Sequence, residues 1–108
     1  MISVEFFVNQ INDLAGFKIC GHSGKSENGT DIICAAVSSA VYMTANIITE
    51  ILHIHATVVV EANGGFLLKI QETDQMACKD ILTGLKLHLL ELKNQYPENI
   101  LINYTEVK

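Results

Sequence analysis

The chain has no CxxC spacing and no cluster of Lys or Arg, and each absence closes off a class of function. Its three cysteines, Cys20, Cys34 and Cys78, are odd in number and widely spaced. That argues against a disulfide framework and a thioredoxin-like redox motif, and it favours a reducing cytosol. Seven basic residues stand against twelve acidic ones, for a formal net charge of −5. Such a chain repels bare phosphate backbone, so direct nucleic-acid binding is not expected, whereas a basic polypeptide would be attracted. The opening "MISVEFFVNQ" lacks a basic n-region followed by a signal-like apolar block, so no secretory leader is expected. Linkers and low-complexity tracts are missing too. One domain spanning residues 1–108 is the simplest organisation for this length.

What is present is a globular composition, 49% hydrophobic and only 18% charged, enough for one core without staples. Ile32 to Thr49 contains no charged residue at all. Its length reaches the lower limit of a membrane span. It is, however, rich in Ala, Ser, Thr and Asn, and Asp31 and Glu50 bracket it where Lys or Arg would be expected. A helix covered by the rest of the domain, or by a partner subunit on its outer side, is the expectation, with no membrane.

The elements follow from periodicity and punctuation. "ISVEFFVN" is a strand, Asn9 to Gly16 carries breakers, and Phe17 to about His22 is a second strand forming a hairpin with the first. Ser23 to Thr30, "SGKSENGT", has loop composition. Thr30 or Asp31 can cap a helix from Ile32 to about Leu52. Two β-rich runs then meet at Asn63-Gly64, a strong hairpin signal. Asp74 is placed to cap a second helix with an apolar face of Cys78, Ile81, Leu82, Leu85, Leu89, Leu92 and Tyr96, which Pro97 stops. "NILINYTEV" alternates as a last strand. The order ββαββαβ predicts an α+β fold: a two-layer α/β sandwich, with both helices on one face of a mainly antiparallel sheet.

The chemistry concentrates around "GHSGKSENGTDIICAAVSSA", residues 21–40. Cys34 falls in the first turn of the predicted helix, where unpaired amides and the macrodipole favour a thiolate. The bland reading is a small buried hydrophobe. His22 ends the preceding strand, and the loop brings the chain back to the helix that bears Cys34. An imidazole there can take the thiol proton and return it to a leaving amine. Helix N-terminal amides, that of Cys34 included, are candidate oxyanion donors. Asp31 reads as an N-cap or as the group that orients His22, and Ser38 stands one turn after Cys34 on the same face. Cys20 and Cys78 read as core. His53 and His55 would share a strand face, but no third ligand stands at a telling spacing, so neither a metal nor a cofactor is expected.

With those residues in place a family resemblance emerges. "GH" closing a strand, a glycine-bearing loop and "DIICAAVSS" opening a long helix resemble the ribosomal-processing cysteine protease family, Prp, over the full length and element order. "NYTEV" near the end also fits. The resemblance implies a homodimeric cysteine endopeptidase of the bacterial cytoplasm. Its substrate would be the N-terminal extension of large-subunit ribosomal protein twenty-seven, cut after an apolar motif containing Phe. Cys34 would be the nucleophile and His22 the base, with Gly21, Asp31 and Ser38 in support. Ser23, Gly24, Lys25, Ser26, Glu27, Asn28, Gly29 and Thr30 would form the substrate loop. The alternatives are a non-catalytic ribosome-assembly factor that binds a ribosomal protein and, disfavoured by the missing CxxC, a thiol redox or acyl-transfer enzyme.

Overall fold

The computed structural model describes residues 1–21, 30–62 and 64–107, with the side chains of Thr30 and Asp31 outside that description. Five strands and two helices follow one another as β1 (Ile2–Val8), β2 (Leu14–Cys20), α1 (Thr30–Asn46), β3 (Thr57–Val60), β4 (Phe66–Lys69), α2 (Gln75–Gln95) and β5 (Ile100–Glu106). The strands form one sheet in the order β3-β4-β2-β1-β5. Every neighbouring pair is antiparallel except β1 and β5, which run parallel from Ile2↔Ile100 to Val8↔Glu106.

Connection handedness explains why both helices share a face. The β2–α1–β3 crossover passes over β4 in one direction, and the β4–α2–β5 crossover passes over β2 and β1 in the other. The strands that start the two crossovers also point in opposite directions, because β2 and β4 are antiparallel. The connections are thus related by a half-turn in the sheet plane. Applied to both, the right-handed rule puts both helices on the same side.

That side is the core. Ile2, Val4 and Phe6 alternate inward along β1, in register with Phe17 and Ile19 of β2, Phe66 and Leu68 of β4, and Ile100 and Ile102 of β5. From above, α1 contributes Ile33, Val37, Val41 and Ala45, the helical turn that continues it contributes Ile48, and α2 contributes Cys78, Leu82, Leu85 and Leu89. The apolar segment 32–51 is long enough to cross a membrane by composition alone, but Ile33, Val37, Val41, Ala45 and Ile48 within it are used up on the sheet. Its buried Thr44 donates to the Ala40 carbonyl at 2.8 Å, and Thr49 donates to Ala45 at 3.0 Å. Hydroxyls are tolerated on an apolar helix by such bonding one turn back.

Several sequence expectations shift. β2 starts at Leu14, not Phe17, because the β1–β2 turn is tighter than its breakers suggested. The Asn9 side-chain carbonyl accepts from the amides of Ile11 (3.0 Å) and Asp13 (2.9 Å), closing the turn before Gly16. Gly16 is then a strand residue with φ +145°, and a Cβ there would meet the Leu68 carbonyl oxygen at 2.1 Å. Asn46 does not end the first helix; one π-helical turn, Ile47–Ile51, carries it on, and the Leu52 amide bonds back to the Ile47 carbonyl at 2.8 Å. His53 follows with φ +53°. β3 starts only at Thr57, so His53 and His55 do not share a strand face. Asp74 occupies the position before α2 but makes no capping bond, because a 3-10 turn, Glu72–Asp74, already winds the chain there. The outer side of α1 is open: Met43 is 60% exposed.

Candidate active site

The site is assembled where β2 ends and α1 begins. Gly21 leaves β2 with φ +97°, and a Cβ there would stand 2.2 Å from the Met1 carbonyl oxygen. A glycine is therefore the residue this exit accepts, since the left-handed region and the close backbone approach both exclude a side chain. His22 and the substrate-loop residues Ser23, Gly24, Lys25, Ser26, Glu27, Asn28 and Gly29 lie outside the described residues. Thr30 is the first residue of α1 and Asp31 the second.

Cys34 is half-buried, a free thiol packed beside the core cluster and flanked on its helix by the buried Ile33 and Val37. Ser38 is half-buried one turn further on. With α1 starting at Thr30, Cys34 is its fifth residue. The expected placement of its amide among the unpaired ones does not hold: those belong to the turn before it, because the first four N–H groups alone lack a helical acceptor. Any oxyanion donors from this helix must come from that earlier turn.

The other two thiols are set apart by position. Cys20 is paired with Ser3 across the sheet, beside the inward-facing Ile19, so it lies half-buried on the face away from the helices. It is not a core residue as expected, because strand alternation sends it to the bare side. Cys78 is fully buried, and that burial, reinforced by the nearby Asp74 carboxylate, pushes its thiol above the ordinary value. A buried thiol of raised pKa is a poor nucleophile. Cys34, half-buried beside the core near the helix start, is the candidate nucleophile of the three. Among the described residues no group of three or more His, Cys, Asp or Glu is arranged to hold a metal ion.

Two features escaped the sequence reading. A cavity of about 590 Å³ opens at the far end of β2, lined by Asn9, Gln10, Ile70, Gln71 and Gln75 among others. It is built by the Asn9 turn, whose side-chain amide also donates to Gln75 at 2.6 Å. Closer to Cys34, Tyr42 on α1 meets Phe66 of β4 edge-on, a contact that spacing along the chain does not signal.

A half-buried free thiol in the first turns of a helix, mounted on a two-layer α+β sandwich, is the arrangement of a candidate thiol hydrolase. The chain belongs to the cysteine protease Prp family, whose profile it matches over residues 1–101. It is 29% identical to the ribosomal processing cysteine protease Prp of Staphylococcus aureus, over 96% of this chain and 99% of that one. The fold superposes on the crystal structure of that essential processing protease from S. aureus in complex with a substrate peptide. There the TM-score is 0.88 at 25% identity, covering 97% of this chain and all (100%) of the other. A second S. aureus structure, with a covalently linked product peptide, gives a TM-score of 0.84 at 27% identity, again over 97% and 100%. The chain is a cysteine-type peptidase.

Proposed function

We propose that this peptidase removes the N-terminal extension of large-subunit ribosomal protein twenty-seven, cutting after an apolar motif that contains Phe, by a Cys34–His22 dyad. The observation that carries the reading is the placement of Cys34: a half-buried free thiol at the start of α1, one short segment after the strand that Gly21 closes. The relatives support it, since an S. aureus homologue is a ribosomal processing protease seen with a substrate peptide.

In the proposed reaction His22 takes the Cys34 proton and the thiolate attacks the scissile carbonyl. The imidazolium then protonates the departing amine as the C–N bond breaks. Water hydrolyses the resulting thioester and restores the free thiol. Gly21, Asp31 and Ser38 would hold supporting positions, and residues 23–30 would be the substrate loop. A cytoplasmic site of action suits three free cysteines. A homodimer suits the open apolar outer side of α1, and a basic ribosomal-protein tail suits a chain of net charge −5.

The test is mass spectrometry of the extended ribosomal protein incubated with wild type, Cys34→Ala and His22→Ala. The reading expects one cut after the Phe-containing motif with wild type and none with either variant. Persistent cutting by Cys34→Ala would sink it. Equal binding of extended and mature forms without any cut would favour an assembly factor instead.

A further inference from the structure

The flank of α1 that carries Cys34 continues past the thiol. Ser38 and Tyr42 follow at one-turn intervals on that side of the helix. Tyr42 is 47% exposed, and its ring stands edge-on to Phe66, centroids 5.4 Å apart at 83°. Phe66 is in turn stacked on Phe17 at 6.0 Å, so the contact is anchored in the core. Across the ladder Phe66 pairs with Val60, and Leu68 pairs with Val58. Both valines therefore have the parity of helix-facing residues. Yet Val58 is 42% and Val60 66% exposed, while Leu68 is fully covered. Helix α1 does not reach over the edge strand, and a strip of apolar surface is left between Tyr42 and the rim of the sheet. β3 is the terminal strand of that sheet, so its outer edge presents a row of backbone donors and acceptors.

We propose that this strip seats an apolar side chain of the substrate, with the extended peptide laid along the outer edge of β3 and Tyr42 as the specificity-determining wall. The inference rests on the cleavage reading above and names where its selectivity resides. Continuity with the thiol argues for a substrate segment as the occupant. Val60, Phe66 and Ile19 are in register at the end of the sheet where β2 gives way to Gly21, the end from which the chain returns to Cys34. Tyr42 stands eight residues beyond Cys34, about 12 Å along the helix at ~1.5 Å per residue. An extended peptide covers that span in about three or four residues at ~3.3 Å each. Strand addition supplies main-chain hydrogen bonds, and an aromatic-walled recess picks out one side chain. An aromatic guest would meet Tyr42 and Phe66 in edge or offset geometry, which aromatic pairs favour.

Binding of a fluorescein-labelled peptide containing the Phe-bearing apolar motif, followed by anisotropy, tests this on the Cys34→Ala protein, where nothing is cut. Adding Tyr42→Ala should weaken binding roughly tenfold, as loss of an aromatic anchor does, and Tyr42→Phe should stay within about twofold. Alanine at the peptide residue three or four places from the scissile bond should cost a similar factor, and should cost nothing further on the Tyr42→Ala protein. Val60→Glu should weaken binding without changing the sedimenting mass. Unchanged affinity in Tyr42→Ala, or losses that simply multiply, would overturn the assignment. So would a Val60→Glu protein of halved mass and unaltered affinity, which would make the strip a contact with a second copy. Wild type that binds through Tyr42 but never cuts the peptide would instead defeat the cleavage reading and leave the strip as a peptide-binding groove.

Discussion

Gly16 and Gly21 stand at the start and the exit of the same strand, and alanine at each should separate stability from activity. Both have positive φ, +145° and +97°, and both would drive a Cβ into a carbonyl oxygen, at 2.1 Å from Leu68 and 2.2 Å from Met1. What differs is whether the neighbour can yield. The Leu68 carbonyl belongs to β4, held between β2 and β3, and Lys69 Cα is a second obstacle at 2.9 Å. Relief to ordinary contact would require a backbone shift of about 1.3 Å (3.4 less 2.1), in a ladder whose strands are ~4.8 Å apart. Strain at a sparsely populated φ costs about 1–3 kcal/mol by itself. With the ladder disturbed as well, Gly16→Ala should lose about 3–4 kcal/mol, or roughly 12 °C or more in Tm. The oxygen facing Gly21 belongs to Met1, which lies outside the β1 ladder, and the next backbone atom stands no closer than 3.3 Å, so it has room to move aside. Gly21→Ala should therefore lose only about 1–2 kcal/mol, yet redirect the chain that carries His22. Urea titration and kcat/KM on the extended substrate read the two effects. Gly16→Ala should keep near wild-type kcat/KM while folded, and Gly21→Ala should lose most of it while remaining stable. A Gly16→Ala protein as stable as wild type, or a fully active Gly21→Ala protein, would refute the reasoning.

Three further outcomes are expected. Iodoacetamide followed by peptide mass spectrometry should label Cys34 ahead of Cys78 in the folded protein, and Cys78 only once urea has opened the core. Because the Cys78 thiol is raised from 9.0 by burial and then by Asp74, folding holds its proton more tightly than the unfolded chain does. Its contribution is thus complete below the unfolded value and lost as pH climbs through the folded one. Urea midpoints above pH 9.0 should fall more steeply for wild type than for Cys78→Val. Leu82, 0% exposed at the centre of α2, should cost about 2–5 kcal/mol when cut to alanine, read as a lower urea midpoint at unchanged m.

Most elements could be read because each relies on local signals. The alternation of Ile2, Val4 and Phe6 and the three-four spacing of Cys78, Leu82, Leu85 and Leu89 name their own buried faces. Pro97 and Gly64 mark real chain reversals, while Asn63 lies outside the described residues; the Glu61 amide donates to the Gly65 carbonyl at 2.8 Å. Boundaries failed where a side chain rewired the backbone, as Asn9 does for the first turn, or where one winding ran into another, as at Asp74. Cys20 was misjudged because a strand residue's side depends on its neighbours' register, which no single strand reveals. Around the candidate site, the places of Cys34 near the helix start and of Gly21 at the strand exit were legible from residue type and position. Tyr42 was not, because Phe66 and Val60 come beside it only through the crossover that α1 makes over β4.

The parallel pairing of β1 with β5 joins the beginning of the chain to its end, since Ile2 and Ile100 are 98 residues apart (100 less 2). β1 thus waits, with one side unsatisfied, for β5 to emerge. Closing so long a separation is the slow step in assembling such a topology. A nascent chain cannot complete this sheet on the translating ribosome until β5 has left the exit tunnel.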